Sequence, residues 1–341
     1  MNVESDDSLG DAPRLTCSLR DDDAYWFREG RHCRSYQFLG AACELHPVQT
    51  GDEEIRWVAG IRFRVWMPHA KRVRVAGSFN QWDGRGHEMH SAGETGSGFW
   101  ELFIPELVSG VHYRYDVCRS SNDEWIRVED PATQYRDTSM AGASRVLPES
   151  VHVWKDGAWL GRRAMSNTMT MGKPQSIYEL SLTDLNEGYR SLADRLIARA
   201  VEQKSTHVLI PAPMEPNYFA LSAREGCPDD LRFFINACHV ANLGVIVDWK
   251  PCSVVTFLDQ SVDCVYEGEL SSLLLSSACY WLEEFHVDGL RTLVQDKSQA
   301  GINTSTLPLS RCLALLETVV HRDYPGVLLL GNVSNVVNTA E

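Results

Sequence analysis

The pattern of apolar and polar positions divides the chain into two parts. In residues 59–147, apolar and polar side chains alternate with a period of two, most clearly at 62–66 and 113–117. This is the spacing of strands that turn every second side chain towards a core. Turn-forming residues such as Pro68 and Gly110 separate these runs. Several short strands bounded by turns predict an Ig-like β-sandwich as the first domain.

A different pattern occupies residues 174–341, where short apolar segments alternate with amphipathic helices. Such alternation predicts parallel βα units. A closed TIM barrel needs eight strands and about 250 residues, so we expect an incomplete TIM-type (βα) barrel of about five strands. The strands are predicted at 177–182, 207–210, 245–248, 287–294 and 327–330, and the helices at 189–203, 228–244, 273–285 and 307–321.

The segments outside these two domains show little periodicity. Residues 1–58 contain a polar tail and an aromatic-rich lead-in, which we expect to pack against a following domain. Residues 148–173 are predicted to be a linker. An incomplete barrel has open sheet edges, which are prone to aggregation. We therefore expect the N-terminal segment, the sandwich or a second chain to cover the barrel edge.

Composition narrows the kind of ligand. The chain has 341 residues, 44% of them hydrophobic, and a net charge of −14, values that suit a globular protein of two domains. The acidic balance argues against nucleic acid and anionic membrane as partners, because both reward basic patches. A neutral ligand such as a polysaccharide fits this balance. Glu283 and Glu284 are expected on a solvated helix face.

The cysteine and histidine positions indicate neither a metal site nor a cofactor site. The ten cysteines are irregularly spaced and contain no C-x-x-C pair, which favours reduced thiols in a cytoplasmic protein. His239, His286 and His321 lack metal-ligand spacing, so structural roles are expected for them. No Gly-rich phosphate loop occurs. We expect neither a signal peptide nor a membrane span, because no apolar run approaches the ~20 residues that a span needs.

Residues 77–84, Gly-Ser-Phe-Asn-Gln-Trp-Asp-Gly, resemble the glycogen-binding β-sandwich that precedes branching-enzyme barrels and occurs in the β subunit of AMP-activated kinase. The resemblance, a module of carbohydrate-binding family 48, implies a glucan site made of Trp82, Arg114 and Trp125, with Asn80 beside Trp82. The apolar faces of sugar rings stack on flat aromatic side chains, while basic and amide groups bond the sugar hydroxyls.

A structural role for the same tryptophans stays open. Trp82 could be a core or domain-interface residue, although the turns that flank Trp82 and Trp125 favour exposure. Trp66 and Trp100 are expected in the core.

The second domain resembles the catalytic barrel of glycogen branching enzymes, members of glycoside hydrolase family 13. The resemblance is carried by residues 189–196, 229–234, 244–249, 280–286 and 324–328. It implies retaining transglycosylation, which needs a carboxylate nucleophile and a carboxylic general acid roughly 5 Å apart. Residues 288–294 match the fourth barrel strand, D-G-L-R-V-D-A in the family, but Leu293 stands where the family has the nucleophilic Asp.

Other positions of the implied catalytic set also differ. Asn332 stands at the position of the general acid, and Ser253 at that of a sugar-binding His. The loop after the second strand is shortened across residues 213–220. Asp248 and Arg291 are retained, and we expect them to pair with each other.

Three hypotheses follow. The first is a cytoplasmic, catalytically inactive branching-enzyme homologue that binds α-1,4-glucan or glycogen and acts as a scaffold or regulator in glycogen metabolism, as a homo-oligomer or with a partner from that metabolism. The second is an active branching enzyme in which Asp263 or Asp296 replaces the nucleophile. Asp296 lies three residues beyond Leu293, and ångström-scale misplacement costs orders of magnitude in rate. The third is a decaying gene product without function.

Overall fold

The computed structural model describes residues 19–49, 55–94, 96–140, 143–166, 174–185, 188–211, 218–222, 226–250, 266–293 and 307–331. Within them the chain forms the two predicted domains, a β-sandwich followed by a partial α/β barrel.

Two sheets form the sandwich. Their strands are β1 (Gly40–Gln49), β2 (Ile55–Trp66), β3 (Ala70–Gly77), β4 (His90–Ser91), β5 (Phe99–Pro105), β6 (His112–Arg119), β7 (Trp125–Val128), β8 (Tyr135–Asp137) and β9 (Ala143–Arg145). The first sheet is antiparallel in the order β1-β2-β5-β4. In the second sheet, β6 pairs with β3 along one edge and with β9 and β7 along the other. Apolar side chains of β2, β3 and β6, among them Phe63, Val75 and Tyr115, bury each other between the sheets.

The sandwich starts earlier than the sequence predicts. Strand β1 lies within residues 1–58, predicted as tail and lead-in, and pairs with β2 over its whole length. This pairing also changes the environment of β2. Arg62 and Arg64 alternate with apolar residues, yet both are almost fully buried, because their guanidinium groups donate to the Phe38 carbonyl at 2.8 and 3.1 Å. The lead-in therefore covers the second face of β2.

Five parallel strands form the second domain in sequential order, as predicted. They are β10 (Ile177–Glu179), β11 (His207–Ile210), β13 (Gly244–Trp249), β14 (Gly289–Thr292) and β15 (Leu328–Leu330), while the short β12 (Leu221–Ser222) pairs with β8 of the sandwich. The α-helices within the described ranges are α1 (Asp21–Arg28), α2 (Gly157–Ser166), α3 (Leu182–Leu185), α4 (Tyr189–Glu202), α5 (Pro228–Val240), α6 (Glu267–Glu284) and α7 (Leu307–Asp323). Among the described residues, no strand lies beyond β10 or β15, so the sheet there is open.

The N-terminal helix α1 packs between the two domains. The Phe27 ring is fully buried, 5.5 Å from the ring of Trp66 and 5.4 Å from that of Phe99. Gly268 of α6 allows this approach, because a Cβ there would lie 1.7 Å from the carbonyl oxygen of Arg28. In the described part of the chain, the lead-in pairs with neither edge strand of the barrel.

Glu283 of α6 does not lie on a solvated face, so that prediction is wrong. Its carboxylate accepts hydrogen bonds from Arg34, at 3.0 Å from Nε, and from the hydroxyls of Tyr36 and Tyr324. Burial acts to raise the pKa of Glu283, but these hydrogen bonds lower it below its ordinary value. The ionised carboxylate of Glu283 thus connects the lead-in to the barrel through hydrogen bonds.

The predicted linker, residues 148–173, contains helix α2. Trp159 Nε1 and Arg163 Nη1 each donate to Asp288 Oδ1, both at 2.8 Å, and Asp288 precedes β14. The helix contains two glycines, which lower its intrinsic propensity. The linker prediction is wrong here because tertiary contacts at the amino ends of the barrel strands, rather than local propensity, stabilise the helix.

His239 lies between two carboxylates beneath α2. Its Nδ1 is 2.9 Å from Asp156 Oδ2, its Nε2 is 2.9 Å from Asp288 Oδ2, and its side chain is fully buried. A carboxylate can only accept at these distances, so both ring nitrogens must carry a proton and the ring is cationic. Burial acts to lower the pKa of His239, but the hydrogen bonds to Asp156 and Asp288 raise it above its ordinary value.

This arrangement predicts a stability that falls as the solution becomes alkaline. His239 has a raised pKa in the folded chain, so its stabilising effect is complete below about pH 6.5 and is lost as the pH rises through the folded value. The pKa values of Asp156 and Asp288 are lowered, so their contribution is lost only in acid. Urea unfolding between pH 6 and pH 9 would measure the effect, with His239→Gln as control. Parallel pH profiles for the two proteins would contradict this expectation.

Candidate functional site

The carboxyl ends of the barrel strands hold the positions that correspond to the implied catalytic set. Arg291 of β14 donates from Nη2 to Asp248 Oδ2 of β13 at 2.9 Å, and from the same nitrogen to Glu179 Oε1 of β10 at 2.9 Å. These hydrogen bonds, with Asp248 first and Glu179 second, raise the pKa of the Arg291 guanidinium. Arg291 thus links three strands of the sheet, β10, β13 and β14.

Leu293 follows β14 directly, beside this ion pair. Its N–H donates to the carbonyl of Trp249 at 3.0 Å, which continues the strand pairing, and its side chain is half-buried. The position that would hold a nucleophile thus presents an aliphatic group. Asn332, Ser253, Asp263 and Asp296 lie outside the described residues.

A second candidate site lies on the outer face of the sandwich, where β3, β6 and β7 run side by side. The strand register places Arg74, Asp116 and Arg127 in one row across the three strands. Trp125 belongs to the next row, opposite Cys118. Side chains in such rows are direct neighbours. A pocket of about 410 Å³ opens on this face, lined by Arg74, Asp116, Trp125, Ile126 and Arg127.

Trp125 forms one wall of the pocket and is 38% exposed. The guanidinium carbon of Arg74 lies 4.0 Å from the centroid of its ring, a distance typical of cation–π contact. An indole held in this way offers a flat apolar surface at the rim of the pocket, as sugar stacking requires.

Trp82 lies on the loop between β3 and β4, in a strained stretch of backbone. Gln81 and Trp82 both have left-handed conformations, with φ of 56° and 63°, which non-glycine residues rarely adopt. Such strain persists where the surroundings impose it, often at functional sites. Here Arg127 Nη2 donates to the Trp82 carbonyl at 2.9 Å, and the guanidinium carbon lies 6.0 Å from the Trp82 ring centroid.

Arg127 therefore connects both tryptophans. It shares β7 with Trp125, it holds the Trp82 backbone, and its guanidinium donates to both oxygens of Asp116 at 2.6 and 2.9 Å. The hydrogen bond to Asp116 raises the pKa of Arg127. The sequence alone did not single out Arg127 or Arg74. The period of two along β7 relates Arg127 to Trp125, but only strand pairing brings Arg74 and Asp116 beside them.

Two other predicted binding residues have different surroundings. Asn80 accepts from Gly77 N–H at 2.8 Å and donates to the Val75 carbonyl and to His87 Nδ1 at 2.9 and 3.1 Å. Its amide group thus shapes the loop that carries Trp82. Arg114 is half-buried outside the pocket lining, with Nη2 at 4.0 Å from a Glu129 oxygen.

The two tryptophans predicted as structural lie in the interior. Trp66 is buried against α1, and Trp100 is half-buried with its Nε1 donating to the Met67 carbonyl at 3.1 Å. In the part of the chain that the structure describes, no group of three or more His, Cys, Asp or Glu residues is placed to hold a metal ion. Within the same residues, no helix combines the length and apolar character that crossing a membrane needs.

The sandwich matches a known family of modules. Residues 48–132 match the family model of carbohydrate-binding module 48, described as the isoamylase N-terminal domain. The match includes every residue that lines the pocket.

The whole chain has relatives of known name. It is 34% identical to the 1,4-alpha-glucan branching enzyme of Nitrosospira multiformis over 382 aligned positions, which cover 95% of this chain and 49% of that protein. It is 35% identical to the 1,4-alpha-glucan branching enzyme of Leifsonia xyli over 322 positions, which cover 83% of this chain and 42% of that protein. The chain thus spans about half the length of these curated relatives.

Solved structures agree on the fold. A Salmonella typhimurium protein assigned as an alpha amylase superposes with a TM-score of 0.59 at 18% identity, over 87% of this chain and 49% of that chain. A pullulanase from Bacillus acidopullulyticus superposes with a TM-score of 0.56 at 17% identity, over 85% and 41%. The chain thus contains a carbohydrate-binding module 48 at residues 48–132 and, over most of its length, is similar to about half of a 1,4-alpha-glucan branching enzyme.

Proposed function

We propose that this protein is a catalytically inactive relative of branching enzymes that binds α-1,4-glucan through its sandwich and acts as a scaffold or regulator in glycogen metabolism. The observation that carries the proposal is a contrast between two sites. The sandwich has a pocket walled by Trp125 and joined through Arg127 to Trp82. The barrel has Leu293 beside the Asp248–Arg291 pair.

Chemistry supports the absence of catalysis. Retaining transglycosylation needs a nucleophilic carboxylate and a second carboxyl group that protonates the leaving oxygen. Leucine has no lone pair with which to attack a sugar carbon. An amide at the position of Asn332 cannot donate a proton as a carboxylic acid does. With both groups replaced, neither the attack on the sugar carbon nor the protonation of the leaving oxygen has its catalytic group.

Affinity electrophoresis in gels that contain glycogen, together with a branching assay on amylose, tests the proposal. We expect glycogen to slow the migration of the protein relative to a non-binding reference protein. We also expect no fall in iodine staining of amylose, since no branches are introduced. Migration unchanged by glycogen would contradict the binding part of the proposal, and would favour a decaying product if the amylose were also unchanged.

Restoring the nucleophile alone is expected to restore no branching. In Leu293→Asp the new carboxylate lies at the end of β14, but the position of the general acid is still Asn332. Iodine staining and counting of new branch points would measure activity, with Leu293→Asn as the matched control without a charge. Branching by Leu293→Asp but not by Leu293→Asn would show that a general acid is present elsewhere.

An active branching enzyme is the second candidate. It is favoured by the 34% identity to a protein named as such and by the retained Asp248 and Arg291, which form an ion pair. Asp263 or Asp296 would then supply the nucleophile. Branching by the unaltered chain would establish this candidate and exclude the first.

The cellular setting is part of the first proposal. The seven cysteines in the described ranges are free thiols, and four of them are buried, which suits a reducing cytoplasm. A second copy of the chain or a partner from glycogen metabolism would cover an edge of the barrel sheet at β10 or β15. Light scattering of the purified chain measures the oligomeric state.

A further inference from the structure

The charges around Trp125 are not balanced. Three guanidinium groups, those of Arg72, Arg74 and Arg127, lie on this face with two carboxylates, Glu88 and Asp116. The face therefore carries a positive charge on a chain whose net charge is −14. Such a reversal of sign attracts anions locally.

The excess charge belongs to Arg74. Glu88 binds Arg72 with both oxygens, and Asp116 binds Arg127 with both oxygens. Arg74 Nε is 3.7 Å from Glu88 Oε2, which is too long for a hydrogen bond. Among the described residues, this Nε is buried and has no hydrogen-bond partner. A buried donor without an acceptor is unfavourable, so the protein leaves part of the hydrogen-bonding capacity of this guanidinium unused.

Arg74 also lines the pocket, and its guanidinium lies 4.0 Å from the centroid of the Trp125 ring. When a guanidinium stacks on an aromatic ring, its N–H groups still point outwards in the plane of the guanidinium. They can therefore still donate to the oxygens of an anion. The pocket, about 410 Å³ in volume, is widely open to solvent.

We propose that this pocket selects glucan that carries phosphate monoesters, with a phosphate oxygen bound by the Arg74 guanidinium and the sugar stacked on Trp125. A phosphate monoester carries between one and two negative charges near neutral pH, which suits a guanidinium that no carboxylate hydrogen-bonds. The inference rests on the proposed glucan binding and adds the class of glucan.

Affinity electrophoresis with two forms of one polysaccharide tests the inference. The probes are amylopectin that contains phosphate monoesters and the same amylopectin after treatment with a phosphatase. We expect the unaltered chain to bind the phosphorylated form about tenfold more tightly, the gain typical of one good charge-assisted contact. Arg74→Gln should bind both forms alike, at the affinity that the unaltered chain has for the dephosphorylated form.

Lys71→Gln is the matched control, because it removes an exposed positive charge from the same strand, β3, where Lys71 pairs with Asp123 at 2.8 Å. It should keep the preference for phosphate. Equal affinity of the unaltered chain for both glucans would overturn the inference and leave the proposed function intact. Equal loss of preference in both variants would also overturn it, since that indicates general attraction. If neither glucan is bound, the proposed function fails as well. Thermal unfolding of both variants checks their folding.

Discussion

Replacing Trp125 with alanine is expected to weaken glycogen binding about tenfold, which corresponds to about 1.4 kcal/mol. Trp125 is the aromatic wall of the pocket and is 38% exposed, so its ring is available to a sugar face. The replacement also removes the surface on which the Arg74 guanidinium lies. Affinity electrophoresis over a range of glycogen concentrations gives the dissociation constant.

Trp82→Ala is expected to have a smaller effect, and the double variant a larger one than either. Trp82 is half-buried and does not line the pocket, but it contacts Arg127, which does. Because Arg127 neighbours both tryptophans, the effects of Trp82→Ala and Trp125→Ala should not be additive. Trp57→Ala is the matched control, since Trp57 on β2 of the other sheet is 50% exposed. Weakening by Trp57→Ala equal to that by Trp125→Ala would indicate unspecific aromatic adhesion and contradict the assigned site.

Replacing Asp288 with alanine is expected to lower the free energy of unfolding by about 3–5 kcal/mol, as the loss of one member of a buried charge network does. Asp288 Oδ2 accepts from the Val245 N–H at 2.7 Å and from His239, and Oδ1 accepts from Trp159 and Arg163. Removing the Asp288 carboxylate takes one acceptor from each of four groups. Two are the cations His239 and Arg163, and two are the neutral N–H groups of the Trp159 ring and the Val245 backbone.

Urea unfolding followed by circular dichroism measures this effect at pH 7. Asp83→Ala is the control, because Asp83 is an exposed carboxylate whose hydrogen bonds go to Arg85, and its replacement should leave the unfolding midpoint unchanged. A loss below about 1 kcal/mol in Asp288→Ala, the range of exposed pairs, would show that the network is not the support of α2 proposed above. Asp288→Asn, which keeps the shape, should fall between the two.

The strands and helices of the barrel were predictable because each carries its own pattern. Strand β13 is mostly apolar and is buried along its length, as a strand covered on both faces must be. Helices α4 and α5 show apolar residues at helical spacing, and these are the buried ones. The local sequence pattern was sufficient where the apolar positions of an element coincide with its buried face.

The local sequence pattern failed where a segment distant along the chain covers or stabilises an element. Arg62 and Arg64 alternate as a solvent face does, but the lead-in covers them. Helix α2 has two glycines and little apolar periodicity, and contacts with Asp288 stabilise it. Both cases depend on segments distant along the chain, which a window of sequence does not contain.

The same distinction applies to the two candidate sites of this protein. The sequence by itself determined that Leu293 stands at the position that the resemblance implies for the nucleophile and that Trp82 and Trp125 are candidates for sugar contact, because each is a property of one position and its neighbours. Only the tertiary structure decided that Asn80 shapes a loop, that Glu179 joins Asp248 on Arg291, and that Arg74 and Arg127 complete the pocket. The physical reason is that strand order and strand register place side chains together, and both arise from contacts between residues far apart in sequence.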